Sequence, residues 1–392
     1  MKLRTYLLII ICFFSLFSLT GCNSQNGIES KAYAIALGLD SSDTHNLKIS
    51  IQFAVLNSSE TSTSTDNSSS NNSTLISVDC STIDSGISLM NSYISKQVNL
   101  SHCKAVIISE ELASKGILDV VYTLMNSVEL RPDCNIIISK CEAYTFLENS
   151  SPVFESNPAE YFEANFNSSE YTGYVDNISL SNFYYNILNN SSEASAILSS
   201  INTKESQSKG SKNTSVLDDN YTAGGTPIVS KNKVESMGLA VFKDDKLVGE
   251  LNNLETLCHL IVTNNLKNAT VNIPNPFDTA NNISFYINMN KKTKNNVSLV
   301  NGYPYIECEV WVTGNVPTVY SSIDLANENC LSELNGALSS YLEAHISSYL
   351  YRTAKSFNAD IAGFGEYMLP KYATWQEWLD SDWLRQLSKF IF

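Results

Sequence analysis

The sequence predicts a mixed α/β protein of more than one domain. Short segments alternate apolar with polar residues, and other stretches repeat apolar residues at three- and four-residue steps, so strands and helices interleave. The chain has 392 residues, too many for one compact core, and two or three domains are expected.

The first residues have a separate logic. Lys2 and Arg4 precede an apolar run from Tyr6 to Leu19, which closes on Leu19-Thr20-Gly21-Cys22. A basic start, a short apolar stretch and small residues describe a secretory signal peptide over 1–21. The run is too short to span a hydrocarbon core, which takes about 20 apolar residues. Its Leu-x-Gly-Cys ending looks like a bacterial lipobox, in which the thiol of Cys22 is acylated and the cysteine becomes the new N-terminus.

Residues 31–56 follow. Ala32 to Leu39 is an apolar run, turn formers occupy 40–46, and Leu47, Ile49, Ile51, Phe53 and Val55 alternate strictly, so the pair reads as a hairpin. Residues 57–74 are almost wholly Asn, Ser and Thr and read as a surface loop. A strand over 75–80 leads to Ser81 or Thr82, either of which can cap a helix bearing Ile83, Ile87, Met90 and Ile94. Lys104 to Ser109 reads as a buried strand, 110–126 as a helix broken at Gly116, and Cys134 to Ser139 as another strand. This alternation over 75–148 indicates layered α/β architecture with some parallel pairing.

Residues 152–188 are rich in aromatic side chains and end in a helical pattern near 179–188. A polar tract from Asn189 to Asn220 reads as loop or linker, although Ala196-Ile197-Leu198 could dock on a neighbouring surface. Gly238 to Gly249 reads as a hairpin turning at Asp244-Asp245, and 254–265 as a helix. Residues 283–289, 297–300 and 305–313 read as strands. The longest helix is expected over 329–357, with Leu331, Leu334, Leu338, Leu342 and Ile346 along one stripe.

Removing Lys2 and Arg4 takes the formal charge from −15 to −17, which argues against binding nucleic acid or anionic lipid through the protein surface as a whole. Attachment to a membrane then falls to the lipid on Cys22. Seven cysteines remain beyond it (Cys80, Cys103, Cys134, Cys141, Cys258, Cys308, Cys330), an odd number at irregular spacing. They read as small buried hydrophobes, with room for one disulfide.

Catalytic patterns are thin: there is no G-x-S-x-G elbow, Gly-rich phosphate loop or H-E-x-x-H pair, and no catalytic, cofactor or metal residue is assigned. His102-Cys103 could form a thiolate–imidazole pair or two metal ligands, but no further ligands lie at workable spacing. Glu110-Glu111 and Asp244-Asp245 read as a helix start and a turn. The tryptophans at 375, 378 and 383 read as packing, with sugar stacking or a membrane interface as alternatives.

Several blocks stand out in order along the chain: Ala34-Ile-Ala-Leu-Gly-Leu-Asp40, the stretch from Lys104 to Gly116, Glu129-Leu-Arg131, and Gly238-Leu-Ala-Val-Phe-Lys243 with Lys246-Leu-Val-Gly249 and Glu255-Thr256. Asp360-Ile-Ala-Gly-Phe-Gly365 follows, then Pro370 and Trp375. Together these blocks resemble the Ger(x)C family, the lipoprotein C subunits of spore germinant receptors. The polar tracts at 57–74 and after 189 look like insertions, and the family's last alternating strand is replaced by Phe390-Ile-Phe392.

The resemblance implies a three-domain α/β lipoprotein on the outer face of the spore inner membrane, each domain a sheet flanked by helices. It would act with A-type and B-type membrane subunits in sensing nutrients, without catalysis. On this reading the chain divides into the signal peptide 1–21, an N-terminal α/β domain 22–188, a polar linker 189–237 and a C-terminal α/β domain 238–392. A lipid-anchored extracytoplasmic solute-binding protein is the alternative, and a wall hydrolase a more distant one.

Overall fold

The computed structural model describes residues 30–55, 73–152, 154–155, 158–202, 220–317 and 323–390, together with Arg4 and Tyr6. Cys22 and most of the polar tract at 57–74 lie outside the described residues.

A nine-stranded mixed sheet organises the first two-thirds of the chain. β1 (Lys31–Ser41) and β2 (Leu47–Ala54) form the expected hairpin, with Ser41 opposite Leu47. β3 (Ser73–Cys80) extends it antiparallel. Thr82 then caps the helix Ile83–Tyr93: its hydroxyl accepts from Ser85 N while Ser85 Oγ receives Thr82 N, a reciprocal capping box. β4 (Gln97–Asn99) runs parallel to the start of β1.

β5 (Ala105–Ser109) lies parallel to the upper half of β1, and β6 (Asn135–Ser139) parallel to β5. Both are buried on two faces, which accounts for their unbroken apolar runs. Between them the helices Glu110–Lys115 and Leu118–Met125 are separated at Gly116, whose φ of 113° interrupts the helix.

The stretch expected to be a polar linker contains a buried strand. β7 (Ser195–Ile201) joins the sheet parallel to β6, and β8 (Val234–Lys243) pairs antiparallel with β7. Ala196, Ile197 and Leu198 are fully buried, and the serine-rich remainder is tolerated because Ser199 Oγ meets Ser236 Oγ at 2.8 Å across the ladder. The sheet therefore runs through the expected boundary at 238. It ends on β9 (Lys246–Leu251), joined to β8 through Asp244 at φ 53°.

The remaining strands form two smaller sheets. β10 (Asn268–Asn275), β11 (Asp278–Met289) and β14 (Val312–Asn315) make one. β12 (Lys294–Val300) and β13 (Tyr303–Glu309) make a separate hairpin. The single strand expected over 305–313 is divided: β13 ends at Glu309, and Val312 pairs with Met289 in the other sheet. The long helix spans Glu328–Tyr351 and widens into a π-helical segment, Arg352–Phe357. Leu334, Leu338, Leu342 and Ile346 are buried along its stripe, whereas Leu331 is exposed.

The main core runs from Leu37 and Ile49 through Val106, Ile138 and Phe183 to Leu260, Ile287 and Trp378. A smaller one, around Ile107, Phe146, Phe162 and Phe166, fills the opposite face of the large sheet.

Candidate functional sites

Three carboxylates in the recognised blocks, Asp40, Glu255 and Asp360, point inward. Asp40, at the end of β1, is buried and accepts from Ala143 N at 2.6 Å and Tyr144 N at 3.1 Å, capping the helix Ala143–Glu148. Burial raises its carboxyl while these amides lower it. Gly38, two residues earlier, is needed because a Cβ there would meet Leu147 at 3.0 Å and Ala143 at 3.1 Å on that same helix.

Around the β8–β9 hairpin a second set closes. Lys243 Nζ lies 2.6 Å from Glu193 Oε1, and Asp244 N donates to Glu193 Oε2 at 2.9 Å. Glu193 is only 2% exposed; burial raises its carboxyl, and the Lys243 ammonium pulls it back. Glu255 completes a capping box with Asn252 and receives Arg352 Nη1 at 2.5 and 2.6 Å. The Arg352 guanidinium lies over Phe357, and that ring occupies the space a Cβ on Gly249 would need. Gly238, at φ 92°, faces Leu251 O closely, which excludes a side chain.

The third set belongs to the tail. Asp360 accepts from Phe364 N at 2.9 Å, Gly365 N at 2.8 Å and Trp383 Nε1 at 2.8 Å. Trp378 and Trp383 are buried and stacked, while Trp375 is largely exposed. Two of the three tryptophans thus pack as expected.

The other candidates do not assemble into a reactive group. His102 packs edge-on against Tyr33 and contacts Ser101 Oγ, while the buried Cys103 thiol, pushed up to about 12, donates to Ala105 O. Asp245 holds the break between two helices, receiving Ile117 N on its carbonyl and Leu118 N on its carboxylate. Glu111 pairs with Lys115 on the surface. All seven described cysteines are free thiols. Among the described residues no three His, Cys, Asp or Glu side chains are grouped to hold a metal.

Two further buried groups lie outside the recognised blocks. Glu193 sits in a tract that composition marks as loop, and its burial leaves no sequence signal. His259, on the helix Asn253–Val262, is buried with Nδ1 2.8 Å from Tyr349 Oη, and burial lowers its pKa to about 4. An open cleft of about 830 Å³ lies beside Tyr161, Asn202 and Glu235 and is rimmed by exposed Phe154, Ile228 and Val229.

Comparison with known proteins accounts for this pattern. The model for the spore germination protein N-terminal domain matches residues 24–203, and that for the spore germination B3/GerAC-like C-terminal domain matches 237–391. The chain belongs to the Ger(x)C family. It is 22% identical over 369 residues to the Bacillus subtilis (strain 168) protein named spore germination protein YfkR, covering 93% of this chain and 88% of that one. The crystal structure of the GerBC protein aligns with a TM-score of 0.49 and 14% identity, over 91% of this chain and 94% of that chain. Ger(x)C membership makes this a germinant receptor C-type protein of spore germination.

Proposed function

We propose that the chain is a lipid-anchored, non-enzymatic C subunit of a nutrient germinant receptor. Acyl groups on Cys22 hold it on the extracytoplasmic face of the spore inner membrane, where it binds the A-type and B-type subunits. The carrying observation is that Asp40, Glu193, Glu255 and Asp360 are all engaged in internal hydrogen bonds and ion pairs. Asp40, Glu255 and Asp360, which stand in the recognised blocks, therefore brace the fold together with Glu193, and action by surface contact is the reading they support. The domain reading consistent with this is an N-terminal unit that includes β7, joined through β8 to a C-terminal unit.

The test is Cys22→Ala in spores. The variant is expected to leave the membrane fraction and to slow germination with one class of nutrient. Full membrane retention would refute the anchor, and normal germination of a deletion strain with every nutrient would refute the receptor role. Tight binding of an amino acid or sugar to the purified protein in calorimetry would favour the solute-binding alternative.

A further inference from the structure

The start of β1 lies at one end of the large sheet. Lys31 pairs with Gln97 of β4, and the parallel strands β5 and β6 begin at this same end. The connections collected there are 94–96, 100–104 and 126–134. Leu100 N donates to Glu129 Oε2, and Lys104 N to Ile35 O, which ties these loops into one surface.

Two of the most exposed large apolar side chains among the described residues stand on that surface. Tyr93, the last residue of the helix Ile83–Tyr93, is 81% exposed, and Val128 is 101% exposed. Leu89, one helical turn before Tyr93, is 50% exposed. Lys31 begins β1 and Lys96 immediately precedes β4, at this same end. Lys104 and Arg131 are matched by Glu163 and Asp133, each at 2.8 Å. This end therefore does not share the chain's acidic excess.

Chain length decides what this end meets. Eight residues separate Cys22 from Lys31, and eight residues reach at most about 28 Å. The 11 residues of β1 rise about 36 Å at ~3.3 Å per residue. An anchor on Cys22 can bring the Lys31 end onto the bilayer. It is too short to run up the strand and seat the opposite end, where Ile201 and Val234 pair.

Resting on the proposed Cys22 anchor, we infer that the end face carrying Leu89, Tyr93 and Val128 is seated in the headgroup interface of the anchoring membrane. An exposed tyrosine and aliphatic side chains flanked by lysines suit that layer, where aromatic rings sit at headgroup level and lysines reach for water and phosphate. The far end, with Phe154, Ile228 and Val229, is left pointing away from the bilayer.

The test uses the full acylated protein in vesicles of phosphatidylglycerol and phosphatidylethanolamine, with Val128→Trp and, as a second position, Ile228→Trp. Emission is compared with that of the parent protein with and without brominated lipid. The expected result is co-flotation of both variants with the vesicles and a loss of the added emission confined to V128W. Co-flotation without quenching of V128W, or with quenching of I228W instead, overturns the seating while the anchor stands. Failure to co-float overturns the anchor and the seating together.

Discussion

Trp383 donates its indole N–H to Asp360 at 2.8 Å, joining residues 23 apart in the chain. The same carboxylate caps Phe364 and Gly365, and the Asp360 carbonyl accepts from Glu193 N at 2.9 Å. One residue thus fastens the tryptophan-bearing tail, a short helix and the lead-in to β7. Gly365 is required beside it because a Cβ there would meet Ser191 O and the Trp383 ring.

Asp360→Ala should therefore be severe. It leaves three buried donors without their acceptor, each worth about 1–3 kcal/mol when stranded, so a loss of about 3 kcal/mol or more is expected. Trp383→Phe removes one donor, keeps most of the ring volume and should cost about 1 kcal/mol. Urea denaturation followed by circular dichroism separates them; equal losses would show that the tail packs independently of the carboxylate.

The β1–β2 hairpin, the Thr82 cap and the break at Gly116 were legible because each rests on local chemistry: alternation, a hydroxyl before an apolar repeat, a glycine inside one. β7 was not, because its hydroxyls are satisfied by β8, a partner some 37 residues away in the chain. Nor was the division at Val310-Trp311, where only the pairing of Val312 with Met289 ends one sheet and starts another. Glu193 and Arg352 take their meaning from contacts that composition does not encode.

Gly249→Ala tests the packing against Phe357. The new Cβ would overlap the Phe357 ring, and overpacking of this kind typically costs about 1–3 kcal/mol. Adding Phe357→Leu should recover part of that loss, since the smaller side chain vacates the space. A double-mutant cycle by denaturation measures the coupling, and strict additivity would contradict the contact.

The Glu193–Lys243 pair should behave as a buried pair. Glu193→Gln leaves the Lys243 ammonium facing a neutral amide, and breaking such pairs costs about 3–5 kcal/mol. Replacing both, as Glu193→Gln with Lys243→Met, should restore much of the stability by removing the stranded charge. If the double variant is no more stable than Glu193→Gln alone, the cost lies in the lost Asp244 N–H bond instead.

His259 predicts an acid dependence. Burial lowers its pKa from 6.5 to about 4, so the folded chain resists a proton that the unfolded chain accepts. Its contribution is present above pH 6.5, is lost as pH falls from 6.5 towards 4, and stays lost below that. The loss is on the order of 3 kcal/mol at ~1.4 kcal/mol per tenfold change in proton affinity. His259→Asn should flatten this part of the stability–pH curve, at the expense of the Tyr349 contact; an unchanged slope between pH 6.5 and 4 would assign it to other groups.

Ile228 and Val229 are 62% and 70% exposed on the rim of the 830 Å³ cleft, at the end of the sheet away from the start of β1. Exposed positions of this kind contribute little to stability, typically within about 0.5 kcal/mol on substitution. Ile228→Asp with Val229→Asp should therefore leave the denaturation midpoint nearly unchanged. An apolar rim pressed against the extracytoplasmic part of a partner chain would not accept two carboxylates, because each would be buried without a counter-charge. Spores carrying the pair should keep the protein in the membrane fraction yet germinate more slowly. Germination at the parental rate, with the protein folded and retained, would remove this rim from the partner surface.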